Sequence, residues 1–150
     1  MIRTLSVVAL VSIGATIAYA QGTGGAAALA ERKTIMKAQN DGAKQMSAMA
    51  KGEAPFDLAK VQAWLKATAD GTGKAKSLFP DDSKTGETRA TPAVWANRAD
   101  FNAKADDMVA KAKAAAAAIK DEASFKAELP GVLKTCDACH ENNRAPPVRK

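Results

Sequence analysis

The amino-acid sequence predicts an all-α protein, an antiparallel up-down-up-down bundle of four helices. From Ala26 onward the chain is rich in Ala, Lys, Glu, Gln and Met, which are all good helix formers. Apolar residues recur at spacings of three and four in four segments, with two short connections and one longer one between them. Aromatic residues make up only 5% of the chain and β-branched runs are scarce, so a β-sandwich is not expected.

The composition indicates one domain in a chain of 150 residues. Charged residues account for 25% of it and hydrophobic residues for 47%, which suits a single soluble domain. The formal net charge of +6 at pH 7 is too small to argue for nucleic acid by itself. Because basic and aromatic residues are not interleaved either, we expect no nucleic-acid binding.

Residues 1–20 have the pattern of a cleaved secretory signal peptide. Arg3 supplies a positive start, residues 5–15 form a short, mostly apolar stretch, and residues 18–20 have the small-x-small pattern of a cleavage site. Residues 21–150 then form the mature domain, exported to a bacterial periplasm. The alternative is an uncleaved N-terminal anchor. No later stretch is long and apolar enough for a membrane helix, so the processed protein is not expected to be an integral membrane protein.

The first predicted helix runs from Ala26 to about Ala50, where Gly52 and Pro55 end it. Its inward stripe, by three-and-four spacing, consists of Leu29, Arg32, Met36, Ala43, Met46 and Ala50. Asp57 is expected to cap the second helix. The inward face of the second helix carries Leu58, Val61, Trp64, Leu65 and Thr68. A long polar connection follows this helix.

The third predicted helix begins at Thr91, expected as its cap, with Pro92 at the first helical position. It carries Val94, Trp95, Phe101, Ala105, Met108, Val109, Ala112 and Ile119. A short turn near Asp121 leads to the fourth helix, which Pro130 is expected to kink or loosen and Pro146 to end. One side of the fourth helix carries Phe125, Leu129, Val132, Leu133, Cys136 and His140.

The two cysteines and the single histidine lie within five consecutive positions and form a C-x-x-C-H motif, the attachment site of a c-type haem. On a helix, Cys136, Cys139 and His140 share one face. Two thiols can then bond the two haem vinyl groups, and the imidazole reaches the iron as proximal ligand. The alternatives are a thioredoxin-like redox pair, which expects a βαβ context, and a zinc site, which needs a fourth ligand.

A C-x-x-C-H motif on the last of four helices resembles the class II c-type cytochromes, the cytochrome c′ family. The resemblance is also carried by residues 51–57 (KGEAPFD), 78–80 (LFP) and 92–95 (PAVW), by Arg32 followed by Met36, and by Arg144 after the histidine. It covers essentially the whole mature chain. It implies a bundle that encloses one covalently attached haem c per chain.

Members of this family differ at the sixth iron position. Cytochromes c′ usually leave it open and bind small gases, whereas a low-spin branch supplies a methionine from the first helix and transfers electrons. Met36 is the candidate here, because the first helix begins beside the end of the antiparallel fourth helix and because Met36 aligns with the methionine of that branch. Met46 lies about 15 Å farther along the helix and, like Met49 and Met108, is expected to fill the core. The alternative for Met36 is a core or haem-covering side chain that does not bond the iron.

Two arginines are candidates for contact with the haem. Arg32 lies one turn before Met36, and Arg144 lies one turn after His140. The resemblance implies that a basic residue at the first position lies near a haem propionate or at the distal side of the iron. The alternative for each arginine is a solvated surface charge.

Together these patterns predict a periplasmic electron carrier with His140 and Met36 as axial ligands, which docks on an acidic patch of a redox partner protein. The alternative function is a five-coordinate cytochrome c′ that binds nitric oxide or carbon monoxide. An enzyme is not expected, because peroxidase-type chemistry needs a distal acid–base group and the single histidine is already used. The sequence leaves open whether two copies form a homodimer.

Overall fold

Four long helices and one short helix form the frame of the computed structural model, which describes residues 24–147. They are α1 (Gly25–Ala50), α2 (Leu58–Ala75), α3 (Ala93–Ala96), α4 (Arg98–Ala118) and α5 (Glu122–Asn143). The α2–α3 connection (residues 76–92) contains a 3₁₀ turn (Asp81–Ser83). None of the helices in this part of the chain is long and apolar enough to span a membrane. The predicted signal peptide at residues 1–20 lies outside the described residues.

The long helices α1, α2, α4 and α5 form the four-helix bundle that the sequence predicts. The side chain of Gln62, near the start of α2, donates to the carbonyl of Ala116 near the end of α4 at 3.0 Å. Lys76, just after α2, forms an ion pair with Asp106 in the first half of α4. These two helices therefore run in opposite directions, and side-chain contacts between α4 and α5 show the same arrangement for that pair.

The hydrophobic core lies between α2, α4, the second half of α1 and the first half of α5. Its fully buried side chains include Met46, Val61, Leu65, Ile119, Phe125 and Val132. Met46, Met49 and Met108 are 1%, 5% and 4% exposed, which confirms the expectation that they fill the core. Phe56, between α1 and α2, packs on Phe125 with ring centroids 5.5 Å apart. The core is thus concentrated toward the end of the bundle that holds the two short loops.

Two aspartates cap helices through their side-chain oxygens. Asp57 accepts the backbone N–H of Lys60 at 3.0 Å, which confirms it as the cap of α2. Asp121 accepts the backbone N–H of Ser124 at 2.8 Å, and the Ser124 hydroxyl oxygen accepts the N–H of Asp121 in return. This reciprocal capping box fixes the start of α5 directly after α4.

The third predicted helix is divided in two, and Thr91 does not cap it. Asn97, with φ −117° and ψ 53°, leaves the helical region and separates α3 from α4. The Thr91 hydroxyl donates to the carbonyl of Asn142 at 2.6 Å, because the last carbonyls of α5 lack partners within their own helix. Farther along, α5 runs through Pro130 without interruption and ends ahead of the predicted stop at Pro146. Within residues 24–147 there is no strand, only an isolated bridge near the end of α5.

A glycine in the middle of α1 lets α1 and α2 approach closely. A Cβ atom placed on Gly42 would lie 2.2 Å from Cδ1 of Trp64, far inside van der Waals contact. The Trp64 indole N–H donates to the carbonyl of Gln39 at 3.2 Å, which holds the ring against α1. The indole therefore occupies the space that a side chain at position 42 would need.

We expect Gly42→Ala to lower the free energy of unfolding by about 1–3 kcal/mol, because the added methyl group displaces the Trp64 ring in a packed interface. Gly73→Ala in α2 is the matched control, since no atom lies within 4 Å of its added Cβ. Alanine there should stabilise α2 by ~1 kcal/mol. Equilibrium denaturation measures both changes. A Gly42→Ala variant as stable as the original protein would contradict the close approach of the two helices.

Candidate functional site

The C-x-x-C-H motif lies in the C-terminal half of α5. Cys136, Cys139 and His140 are all half-buried and share one face of the helix, since they are three and four residues apart. The two thiols are not joined in a disulfide. His140 lines a surface pocket of about 420 Å³ together with Arg89 and Arg144. The helix therefore presents two thiols and an imidazole side by side.

Local electrostatics keep these three groups neutral near pH 7. Burial raises the pKa of Cys136 and of Cys139, and the Asp137 charge adds to the rise at Cys136. Burial, followed by the Arg144 charge, lowers the pKa of His140. A neutral imidazole is the form that binds iron, whereas thioredoxin-like pairs depend on thiols of low pKa. The arrangement favours haem attachment over dithiol redox chemistry.

The chain covers the motif end of the bundle less completely than the opposite end. No residue of α1 between Arg32 and Met46 is buried, and no residue of α5 between Val132 and Asn143 is buried. The apolar and sulfur-containing side chains that are half-buried in these two stretches include Ile35, Met36, Ala43, Leu133 and Cys136. Helices of a bundle ordinarily bury such stripes completely. A large, flat, apolar group against these stretches, such as a haem, fits this pattern.

Arg32 fastens α1 to the α2–α3 connection and is only 4% exposed. One terminal nitrogen donates to the carbonyl of Leu78 at 2.8 Å and to Ser83 Oγ at 2.7 Å. The other donates to the carbonyl of Ser83 at 2.9 Å and to Thr88 Oγ1 at 3.0 Å. The guanidinium also lies 4.5 Å from the centroid of the Phe79 ring. Arg32 is therefore not a solvated surface charge, and its contact with a haem propionate stays a prediction.

The same connection holds the end of α5. Thr91 donates its backbone N–H to the carbonyl of Asn143 at 3.1 Å and its hydroxyl to the carbonyl of Asn142. The side chain of Arg89 donates to the carbonyl of Ala145 at 2.9 Å and 2.6 Å. The first part of α1 and the end of α5 are thus tied to one segment. This arrangement agrees with the expectation that the first helix begins beside the motif.

The structure places Met36 and Arg144 at accessible positions near this end of the bundle. Met36 is half-buried, one turn beyond Arg32 on α1. Arg144 is exposed, forms the isolated bridge with Ala90, and contributes its charge to the surroundings of His140. Iron ligation by Met36 and haem contact by Arg144 stay predictions.

Asn143 belongs to this region although the sequence pattern does not point to it, and Phe79 lies here as part of the LFP segment that carries the family resemblance. Asn143 is 6% exposed, and its side-chain N–H donates to the carbonyl of Cys139 at 2.9 Å. Phe79 packs edge-on against Trp95, with ring centroids 5.8 Å apart, and the guanidinium of Arg32 lies over the Phe79 ring. The position of Asn143, an amide one helical turn after Cys139, is a signal from which its contact with Cys139 could have been predicted. The LFP segment indicated the family, but its pattern could not predict that the Phe79 ring packs under the guanidinium of Arg32.

A four-helix bundle with a C-x-x-C-H motif on its last helix defines the class II c-type cytochromes. Comparison with known proteins leads to the same class. A family model described as cytochrome c′ matches residues 27–144. Cytochrome c′ of Rhodopseudomonas palustris is 45% identical over 149 residues, which span 96% of this chain and 97% of that protein. The chain belongs to the cytochrome c′ family, and it carries one covalently attached haem c.

Cytochrome c′ and cytochrome c-556 of one organism each match the chain over 149 residues. The solved structure of cytochrome c′ from Rhodopseudomonas palustris has a TM-score of 0.77 at 46% identity and covers 81% of this chain and 98% of that chain. Cytochrome c-556 of the same organism is 31% identical over 149 residues, spanning 96% of this chain and 97% of that protein. These similarities show the family and the fold.

We expect Thr91→Val to lower the free energy of unfolding by about 1 kcal/mol, because the carbonyl of Asn142 loses its hydroxyl donor. Thr34→Val is the matched control, since Thr34 is exposed and its hydroxyl donates to Ala30 within α1. Amide hydrogen exchange at the end of α5 should accelerate in the first variant and not in the second. Equal exchange rates in both variants would show that the Thr91 hydroxyl does not hold this helix end.

Proposed function

We propose that this protein is an electron carrier of the bacterial periplasm, with His140 and Met36 as the axial ligands of its haem iron. The supporting observation is the position of Met36. Its thioether is half-buried in the part of α1 that the chain covers incompletely, one turn beyond Arg32. Arg32 in turn is fastened to the connection that holds the end of α5. The other methionines within residues 24–147 are all buried in the core.

Each residue of the motif has a defined role in this proposal. Cys136 and Cys139 hold the haem through two thioether bonds, and the neutral imidazole of His140 binds one side of the iron. The bound haem supplies the exchange of one electron per chain. The half-buried apolar side chains of α1 and α5 exclude water from this region, so little solvent has to reorganise when the charge of the site changes.

The thioether of Met36 suits this role because of its chemical softness. A sulfur donor favours ferrous iron relative to a hard oxygen donor, and a Met/His ligand pair raises the reduction potential. Both side chains stand on long helices that are fastened to the same connection. A ligand set held in this way changes little between the two oxidation states.

Location and partner complete the proposal. The signal pattern of residues 1–20 directs export, and cleavage leaves residues 21–150 in the periplasm. The formal net charge of +6 includes Arg3 of the signal, so the mature chain carries +5, which suits docking on an acidic surface of a redox partner protein. The protein acts as a carrier and not as an enzyme, alone or as a homodimer.

The second candidate function is that of a five-coordinate cytochrome c′ with an open sixth site for nitric oxide or carbon monoxide. The observation that favours it is the higher similarity to cytochrome c′, at 45% identity, than to cytochrome c-556, at 31%. In that case Met36 covers the distal side of the iron without bonding it. The absorption spectrum distinguishes the two functions, because only the open site gives a high-spin spectrum that changes promptly with carbon monoxide.

We expect the intact mass of the denatured protein to include one haem, because two thioether bonds survive unfolding. Replacement of Cys136 and Cys139 together by serine should abolish covalent retention. His140→Ala is the control within the same motif: any holoprotein formed should keep its haem covalently bound but change its spin state. Free extraction of the haem from the original protein into acidic organic solvent would contradict attachment at this motif.

We expect Met36→Ala to open the iron, lower the reduction potential and permit carbon monoxide binding to the ferrous protein, because the soft sixth ligand is lost. Met46→Ala is the matched control on the same helix, since Met46 is 1% exposed in the core. It should cost about 2–5 kcal/mol of stability and leave the low-spin spectrum intact. If Met36→Ala keeps the original spectrum and gas reactivity, Met36 is not the ligand, and either the second candidate function or ligation by another methionine takes its place.

A further inference from the structure

Asn143 is a buried amide on the face of α5 that carries the C-x-x-C-H motif. It lies three residues after His140 and four residues after Cys139, so the three side chains share one face of the helix. Asn143 is 6% exposed, whereas the neighbouring Asn142 is exposed. Asparagine is mostly found at the surface, because a buried amide needs partners for its polar atoms. The burial of Asn143 beside the motif therefore depends on a specific contact.

The contact that Asn143 makes is with the peptide unit that precedes His140. Its side-chain N–H donates to the carbonyl of Cys139 at 2.9 Å. That carbonyl belongs to the planar peptide that joins Cys139 to His140. Burial raises the pKa of the Cys139 thiol, and a hydrogen bond from the Asn143 side chain opposes part of that rise. The amide thus lies against both the backbone and the sulfur of Cys139.

The peptide that follows His140 is held as well, and Asn143 joins this turn to the rest of the protein. The carbonyl of His140 accepts the backbone N–H of Arg144 at 3.1 Å. The carbonyl of Asn143 accepts the backbone N–H of Thr91 at 3.1 Å, which fastens the last residue of α5 to the α2–α3 connection. Helix ends ordinarily fray, because their last carbonyls lack partners within the helix. Here the turn that carries the imidazole is fixed on both sides of His140.

We infer that Asn143 is a positioning residue for His140: its amide fixes the peptide before the imidazole and thereby the direction in which the ring meets the iron. The inference rests on the proposed function in one respect, the binding of iron by His140. A ligand that is already ordered binds more strongly than one that must be ordered on binding, because ordering costs conformational entropy. Groups that contact a ligand, and not the metal, commonly set the orientation of metal-bound side chains. The functional motif of this chain thus extends by one turn, to C-x-x-C-H-x-x-N.

The experiment records the iron–histidine stretching band of the ferrous holoprotein by resonance Raman spectroscopy, with Met36→Ala as the background so that His140 is the single axial ligand. Asn143→Ala removes the amide. Asn143→Ser has a similar size to the alanine variant but restores a donor that reaches the carbonyl four residues earlier. Asn143→Leu keeps the volume without the donor and so separates hydrogen bonding from packing. Asn142→Ala, which removes the exposed amide next to it, is the matched control.

We expect Asn143→Ala and Asn143→Leu to shift the band to lower frequency, because a less firmly held imidazole forms a weaker bond to iron. Asn143→Ser and Asn142→Ala should keep the band at its original frequency. An unshifted band in Asn143→Ala would overturn the inference. So would an equal shift in Asn143→Ala and Asn143→Ser, since the donor would then have no effect. This matched pair decides the question alone if Asn143→Leu does not fold.

Thr91→Val separates positioning from a general loosening of the helix end. It removes the hydroxyl that holds the carbonyl of Asn142 but leaves the side chain of Asn143 in place. We expect this variant to lower the melting temperature and to leave the band unshifted. A shift as large as that in Asn143→Ala would overturn the inference, because fraying of α5 would then account for both.

The absorption spectrum of the original protein tests the proposed function separately. A high-spin spectrum contradicts ligation by Met36 but leaves the test of Asn143 intact, since the open iron then shows the band without the Met36→Ala background. Persistence of the band in His140→Ala contradicts ligation by His140 and overturns the inference together with that part of the proposed function.

Discussion

The burial of one guanidinium organises the motif end of the bundle. Arg32 draws the carbonyl of Leu78, both oxygens of Ser83 and the hydroxyl of Thr88 around itself. Because an arginine cannot enter a protein interior without partners for its N–H groups, the α2–α3 connection must fold back over α1 to supply them. The same connection then reaches the end of α5, where Thr91 donates to two consecutive residues. One buried charge thereby brings together the helix that carries Met36 and the helix that carries the motif.

The two ends of the bundle serve different physical purposes. At the end with the short loops, side chains such as Met46, Phe125 and Val132 are almost wholly buried and supply packing and apolar burial. At the motif end, the matching positions of α1 and α5 are only half-buried. The first end can hold the helices in place while the second leaves apolar surface for the covalently attached haem. Because both α1 and α5 extend from one end of the bundle to the other, the packed end also fixes the positions of these helices at the motif end.

The charges near the motif form a graded set. Arg32 is buried and donates to uncharged acceptors among residues 24–147, whereas Arg89 and Arg144 are exposed at the pocket beside His140, together with Asp137 and Glu141 of α5. Salt screens the exposed charges much more than the buried one. The exposed charges therefore weaken as ionic strength rises, whereas the buried charge fastens α1 to the α2–α3 connection at any ionic strength.

The sequence by itself determined the helical class, the bundle, the aspartate cap of α2 and the cluster of two cysteines and a histidine. These features depend on local propensity, on periodic apolar spacing and on a motif of five consecutive residues, all of which the chain carries without reference to distant contacts. Only the tertiary structure decided the partners of Arg32, the hydroxyl contact of Thr91 and the burial of Asn143. The contacts of Arg32 and Thr91 join residues far apart in the chain, and all three features depend on which hydrogen-bond partners meet at this end of the bundle, which no local pattern records.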